Sequence, residues 1–310
     1  MPKISIIMPT FNVEKYIARA IKSCINQTFK DIEIIIVDDL VSDNSINIAK
    51  EYAKKDERIK IIHNEKNLGT FAARNAGVKA AGGGYLLFLD PDDYLELNAC
   101  ELVINEIQDY DLLCFNAIII NNEDKNYKKN YDNAIFNLRD FCSFLDNKNL
   151  ALFVCNKIYK KSLLIDKIKE IDFKERLIYA EDHLFNAFYL SQCKKIKCID
   201  NFLYNYYQHS QSITNNFANN HKNIFLQLDL LLLKLQSILI DDYVKEFILK
   251  RTKKLYYNIS LELYLLDIKN KYNLIDKKYF FLRFLYRLKM SIKKKIFSLK
   301  YKKGKTNNAN

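Results

Sequence analysis

Along the first hundred positions the apolar residues come in short blocks, and each block stops at a polar turn. Ile4-Ser5-Ile6-Ile7-Met8 ends at Pro9-Thr10-Phe11-Asn12, and Ile32 to Val37 ends at Asp38-Asp39. Ile59 to Ile62 ends ahead of Asn67-Leu68-Gly69, and Tyr85 to Leu89 ends at Asp90-Pro91-Asp92-Asp93. Short apolar runs bounded by turn residues predict strands covered on both faces. Between them the period changes. Val13, Ile17, Ala20, Ile21 and Cys24 recur at helical spacing, and Ser42 to Ser45 offers caps for a helix through Ala49 and Tyr52. Phe71 to Ala81 reads as a third helix, stopped by Gly82-Gly83-Gly84. Four strands alternating with three helices predict an α/β fold, Rossmann-like, with a mostly parallel sheet, helices on both faces and right-handed crossovers.

The pattern changes after residue 100. A polar stretch from Asn121 to Asn133 precedes Phe136 to Leu145, which reads as a helix. Glu181-Asp182 followed by apolar residues at 184, 185 and 188 predicts the first turn of another helix, where the macrodipole favours carboxylates. From Asn223 to Asp276 the chain reads as helical, with Leu226, Leu230 and Leu233, then Leu255, Ile259, Leu263 and Leu266, expected to face a core. In the tail, Phe281, Leu285, Leu288, Ile292, Ile296 and Leu299 line one helical face, with Arg283, Arg287, Lys293 and Lys294 largely on the other.

Composition adds bounds. The 310 residues are 49% hydrophobic and 13% aromatic, enough to fill a core, and only 6 Gly and 3 Pro argue against a repeat or linker-rich architecture. The 7 Cys are scattered with no CxxC pair, which argues against a zinc site. With no signal-peptide pattern and no apolar run long enough for a bilayer, the expectation is a cytoplasmic protein with reduced thiols. The net charge of +12 has one address: residues 277–310 carry twelve Lys and Arg and no acid, leaving 37 residues of each sign elsewhere.

Candidate chemistry sits at the strand ends. In parallel α/β sheets ligands bind outside the carboxyl ends of the strands, and three successive ends deliver polar groups there. Asp90, Asp92 and Asp93 repel one another unless a cation or several donors offset them, and hard carboxylate ligands suit Mg²⁺ or Mn²⁺ shared with a diphosphate. The plainer alternative is an aspartate-rich turn capping the next helix. Arg74, one turn into the third helix, is a candidate cation for a phosphate.

The blocks Ile4 to Asn12, Glu33 to Asp39, Asn67-Leu68-Gly69 with Ala73-Arg74-Asn75-Ala76-Gly77, and Phe88 to Asp93 together resemble the signature of family 2 glycosyltransferases. These are inverting enzymes of the GT-A fold that use nucleotide sugars. The resemblance is dense over residues 3 to 100, where it is similar to bacterial lipooligosaccharide β-1,3-galactosyltransferases, and thins towards residue 214. It implies a nucleotide-sugar-binding half (1–100), an acceptor-binding half (101–221), a helical extension (222–276) and a basic amphipathic tail (277–310). Pro9, Thr10 and Asn12 fall where the family's first loop meets the nucleoside. Asp38 or Asp39, with Asp39 preferred, would accept from the uracil N3–H, and Arg74 would contact the base or the diphosphate. Asp90 and Asp92 occupy the DxD positions, with Asp92 the metal ligand and Asp93 an alternative. Asp182 matches the general base of the family's Glu-Asp pair, with Glu181 shaping its surroundings. One departure is Leu40-Val41, where the family usually has Gly-Ser.

The implied reaction is transfer of one hexose, galactose as first choice, from a UDP-sugar to a hydroxyl of a lipooligosaccharide or another lipid-linked glycan. With no Trp in the chain, the Gln-x-x-Arg-Trp signature of processive synthases is absent. The tail reads as an anchor to an anionic membrane surface, which would place the protein on the inner face of the cell membrane. No recognised nucleic-acid module accompanies the charge. Two rivals share parts of this pattern: a sugar nucleotidyltransferase, and a non-catalytic membrane or nucleic-acid binding module carried by the tail.

Overall fold

A computed structural model of the chain describes residues 2–121, 124–164, 176–209 and 221–271, with side chains between 223 and 260 in the last segment. The predicted strands form as β1 (Ile4–Thr10), β2 (Ile32–Asp38), β3 (Ile59–His63) and β4 (Tyr85–Phe88). The predicted helices form between them as α1 (Ile17–Ile25), α2 (Ser45–Ala53) and α3 (Thr70–Ala80). Beyond them come β5 (Tyr94–Leu95), α4 (Ala99–Ile107), β6 (Leu112–Asn121), β7 (Asp124–Lys128), β8 (Ala134–Asn137) and α5 (Leu138–Asn147). After β9 (Lys157–Lys160) follow α6 (Glu181–Leu190), β10 (Lys195–Gln208), α7 (His221–Ser237) and α8 (Asp242–Lys271). The described residues divide into one compact unit up to Thr252 and a second from Lys253.

One sheet runs in the order β3-β2-β1-β4-β9-β6-β10-β5, with β7 beside β6 and β8 beside β10. β1, β2, β3 and β4 are parallel, and β9 reverses between β4 and β6, so β6 and β10 point the same way as β1. Alternation along the strands sorts the core into two layers. Ile4, Ile6, Met8, Ile34, Ile36 and Leu87 face the inner sides of α1, α2 and α4. The opposite layer takes α3, packed so closely that a Cβ on Gly77 would lie 2.4 Å from Ile7 Cγ2. Phe185 and Tyr189 of α6 pack edge-on against Phe88 and Tyr159, with ring centroids 4.7–5.4 Å apart.

Four local expectations shift. The helix expected from Val13 begins only at Ile17, because the amides of Val13 and Glu14 donate to Ser45 Oγ and Asp43 Oδ2. Phe136 lies in β8 and the helix starts after Asn137, whose side chain accepts from the Asp140 N–H. The polar stretch before it contains β7, an exposed edge strand in which Tyr127 is the one aromatic side chain and no alternation marks a strand. On α7 the inward stripe is Ile224, Leu228, Leu231 and Leu235, whereas Leu226 and Leu233, expected in the core, are exposed. So many leucines surround this helix that periodicity alone does not choose a face. The side chains of Leu263 and Leu266, and the tail from 277, lie outside the described residues.

Candidate active site

The ends of β2, β1 and β4 lie side by side, so the three polar turns share one edge. At the end of β1, Pro9 and Thr10 are buried, and Thr10 O accepts from the Asp39 N–H at 3.0 Å. Asn12 is left-handed (φ 50), and its amide is spent on the neighbouring loop: Oδ1 accepts from Ser42 N–H at 2.8 Å and Nδ2 donates to Ser42 Oγ at 3.0 Å. Leu40 also takes a positive φ, 63°, a conformation suited to the Gly expected there.

Asp38 and Asp39 divide their work. Asp38 Oδ1 accepts from the Val41 N–H at 3.0 Å and Oδ2 lies 2.7 Å from His63 Nδ1. Asp39, expected to face uracil, is 3% exposed. Its Oδ1 accepts from Asn64 Nδ2 and Leu68 N–H and its Oδ2 from Gly69 N–H, at 2.8–2.9 Å. In this structure the carboxylate shapes the β3–α3 loop, because three donors already converge on it.

Beyond β4 the three acids separate. Asp93 is 1% exposed, with Oδ2 accepting from Tyr204 Oη–H at 2.6 Å and Oδ1 from Tyr207 N–H at 2.7 Å. Burial, then the charges of Asp92 and Asp90, push its carboxyl well above the usual range. It ties β10 to this loop, which corrects the expectation of Asp93 as an alternative metal ligand. Asp92 is partly exposed, its Oδ2 lies 2.9 Å from His209 Nε2, and its carbonyl accepts from Arg19 Nη2 at 2.7 Å. Arg19 is stacked between Tyr94 and Tyr207, at 4.7 and 4.1 Å, and the His209 ring lies 4.4 Å from Tyr16. Asp90 Oδ2 accepts from Cys155 Sγ–H at 2.9 Å.

Arg74 joins the two halves of the chain. It is 3% exposed and donates to Asp90 Oδ1 (3.0 Å), Glu181 Oε1 (3.0 Å) and Asp182 Oδ1 (2.8 Å). Expected to reach a base or diphosphate, it is instead enclosed by three carboxylates. The fork of the guanidinium spreads these donors over two nitrogens, Nη1 to the Glu181-Asp182 pair and Nη2 to Asp90. Ala180, left-handed at φ 55, precedes α6 and turns Glu181 and Asp182 towards it. Burial, then the charge of Asp182, pushes Glu181 up to about 8 against the pull of Arg74. Asp182 is raised by burial and held down chiefly by Arg74. Burial thus raises both carboxyls and the shared Arg74 guanidinium opposes the rise in each, which favours the charged form that a general base requires.

Among the described residues no group of three or more His, Cys, Asp and Glu is arranged to hold a metal unaided. The donors do fit an ion that takes the rest of its shell from a substrate diphosphate, as Mg²⁺ and Mn²⁺ sites of one or two carboxylates do. Burial and the Asp90 charge raise the Asp92 carboxyl, and a cation would relieve both. His209 joins the set beside it.

The sequence model described as Glycosyl transferase family 2 matches residues 5–166, just over half of the chain. EpsJ, an uncharacterized glycosyltransferase of Bacillus subtilis, is 32% identical over 69% of this chain and 63% of its own length. The cholesterol galactosyltransferase of Borreliella burgdorferi is 29% identical over 89% of this chain and 78% of its own. The chain spans less than two thirds of the length of the Bacillus subtilis relatives it matches. Among solved structures, S. aureus TarS 1–349 in complex with UDP-GlcNAc superimposes with a TM-score of 0.63 at 25% identity, covering 81% of this chain and 71% of that one. The matched stretch holds the strand-end turns described above, and the chain belongs to glycosyl transferase family 2.

Proposed function

We propose that the protein is an inverting glycosyltransferase that moves a single hexose, galactose first, from a UDP-sugar to a hydroxyl of a lipid-linked glycan such as lipooligosaccharide. One observation carries the reading: Arg74 gathers Asp90 of the nucleotide-side motif and the Glu181-Asp182 pair, 107 and 108 residues downstream of it, into one wall. Asp182 takes the proton of the acceptor hydroxyl as its oxygen bonds to the anomeric carbon. The bond from that carbon to the β-phosphate oxygen breaks in line, and UDP leaves with the electron pair. A divalent ion held by Asp92 and His209 would offset the charge of the departing diphosphate. Support for a UDP donor comes from the UDP-GlcNAc complex of TarS, and support for galactose and a lipid acceptor from the name of the Borreliella relative.

Association with the membrane is proposed from the sequence of residues 277–310. The attachment proposed is at the surface, through the basic residues of that tail, and among the described residues no helix is long and apolar enough to cross a bilayer.

The test is a panel of UDP-galactose, UDP-glucose, UDP-GalNAc and UDP-GlcNAc, with and without Mn²⁺, read as UDP release. One donor should give UDP with the metal, and Asp92→Ala should lose most of that stimulation. Release of pyrophosphate would identify a nucleotidyltransferase, and silence across the panel would sink the proposal. Metal stimulation unchanged in Asp92→Ala would remove Asp92 from the metal site.

A further inference from the structure

The backbone that carries the base is held from behind by α7. Gln227 is a buried polar residue in the inward stripe of an otherwise leucine-rich helix, next to Ile224 and Leu228. Its Oε1 accepts from two successive backbone amides, Ile178 N–H at 2.8 Å and Tyr179 N–H at 3.0 Å. Two donors converging on one oxygen fix the orientation of the amide, and Nε2 donates to Asn223 Oδ1 at 3.3 Å. The next residue, Ala180, is the left-handed turn from which α6 starts, with no side-chain cap. A non-glycine residue stays in that region only where its surroundings over-determine it. Leu177, buried on the other side of the Gln227 contact, accepts from the Phe71 N–H of α3 at 3.4 Å. The segment before the base is thus clamped between α3 and α7.

A second contact holds the first turn of α6 in the same way. His183 Nδ1 lies 2.8 Å from Thr252 Oγ1, and the one hydroxyl proton of Thr252 goes to Ile248 O at 3.0 Å. His183 Nδ1–H is therefore the donor of that pair. Burial pushes the imidazole down to about 4, so it stays neutral at ordinary assay pH.

We propose that Gln227 is a positioning residue for glycosyl transfer: by holding the amides of Ile178 and Tyr179 it sets the turn at Ala180, and through that turn the place of Asp182 against Arg74. Residues 178–182 and α7 both lie outside the stretch matched by the family model, so the device is read from this structure's contacts. The inference rests on Asp182 being the general base.

The experiment compares wild type, Gln227→Met, Asp182→Asn and the double variant, using UDP release from the UDP-sugar that the wild type turns over fastest, and UDP affinity by calorimetry. Gln227→Met keeps the volume and removes the acceptor. The expected result is a fall in kcat of at least tenfold with UDP affinity within twofold of wild type. In the Asp182→Asn background the same substitution should cost less than twofold, because both act through one group. A merely structural role would weaken UDP binding together with kcat, or would cost the same in both backgrounds, and either result overturns the proposal. So does a wild-type kcat. Should Gln227→Met not fold, Gln227→Asn withdraws the acceptor by one methylene and must show the same split between kcat and affinity. Asp182→Asn at the wild-type rate would sink the base assignment itself, whereas a slow Asp182→Asn with an undisturbed Gln227→Met sinks only the inference about α7.

Discussion

Replacing Arg74 by Met tests the charge balance of the site most directly. The guanidinium is 3% exposed and lies 2.8–3.0 Å from oxygens of Asp90, Glu181 and Asp182. At an effective dielectric of about 20, a single pair about 4 Å apart is worth about 4 kcal/mol, and desolvation of the guanidinium offsets a large share of the three. Breaking such a cluster by removing one partner costs about 3–5 kcal/mol, since the remaining charges stay buried. For a unit of roughly 250 residues that is a fall in Tm of about 10 °C. The deficit should depend on pH with a definite sign. Without the guanidinium that opposes their rise, Glu181 and Asp182 should titrate further above the unfolded value of about 4, so the folded state holds protons that the unfolded chain releases. Their share of stability is present at low pH and is lost as pH rises through the folded values, and that of Glu181 is already about 8 in the intact cluster. Denaturant titrations of both proteins between about pH 5 and pH 8 should show a small deficit at the acid end and the largest at the alkaline end. A deficit under about 1 kcal/mol, the value of a solvated pair, or one flat across this window, would mean that Arg74 does not balance the carboxylates.

Two further outcomes bear on the reaction and on the tail. Asp182→Asn should lower kcat by about 10²–10⁴-fold while UDP affinity stays near wild type, measured by UDP release and calorimetry; equal losses in both would reassign Asp182 to binding. Deleting residues 277–310 should release the protein from anionic vesicles, each basic residue near the surface contributing about 1 kcal/mol, and turnover on a soluble acceptor should persist. Sedimentation that is unaffected by the deletion would end the membrane proposal.

The first hundred residues wrote their own architecture. Buried parallel strands need continuous apolar runs and their crossover helices a 3.6-residue period, and both signals are local, so β1 to β4 and α1 to α3 were legible position by position. So was the convergence of Asp38-Asp39 and Asp90 to Asp93 on one edge, because parallel strands order their own ends. The partners of those acids were not. Asp39, Asp93 and Arg74 each find their partners far away in sequence, at the β3–α3 loop, on β10 and on α6. Which buried polar group meets which is decided by packing and desolvation, and neither is written in local periodicity. The face of α7 was equally undetermined, since leucines surround it. Gln227, on the apolar face, was the available signal, and only the tertiary structure showed that it holds the amides of Ile178 and Tyr179.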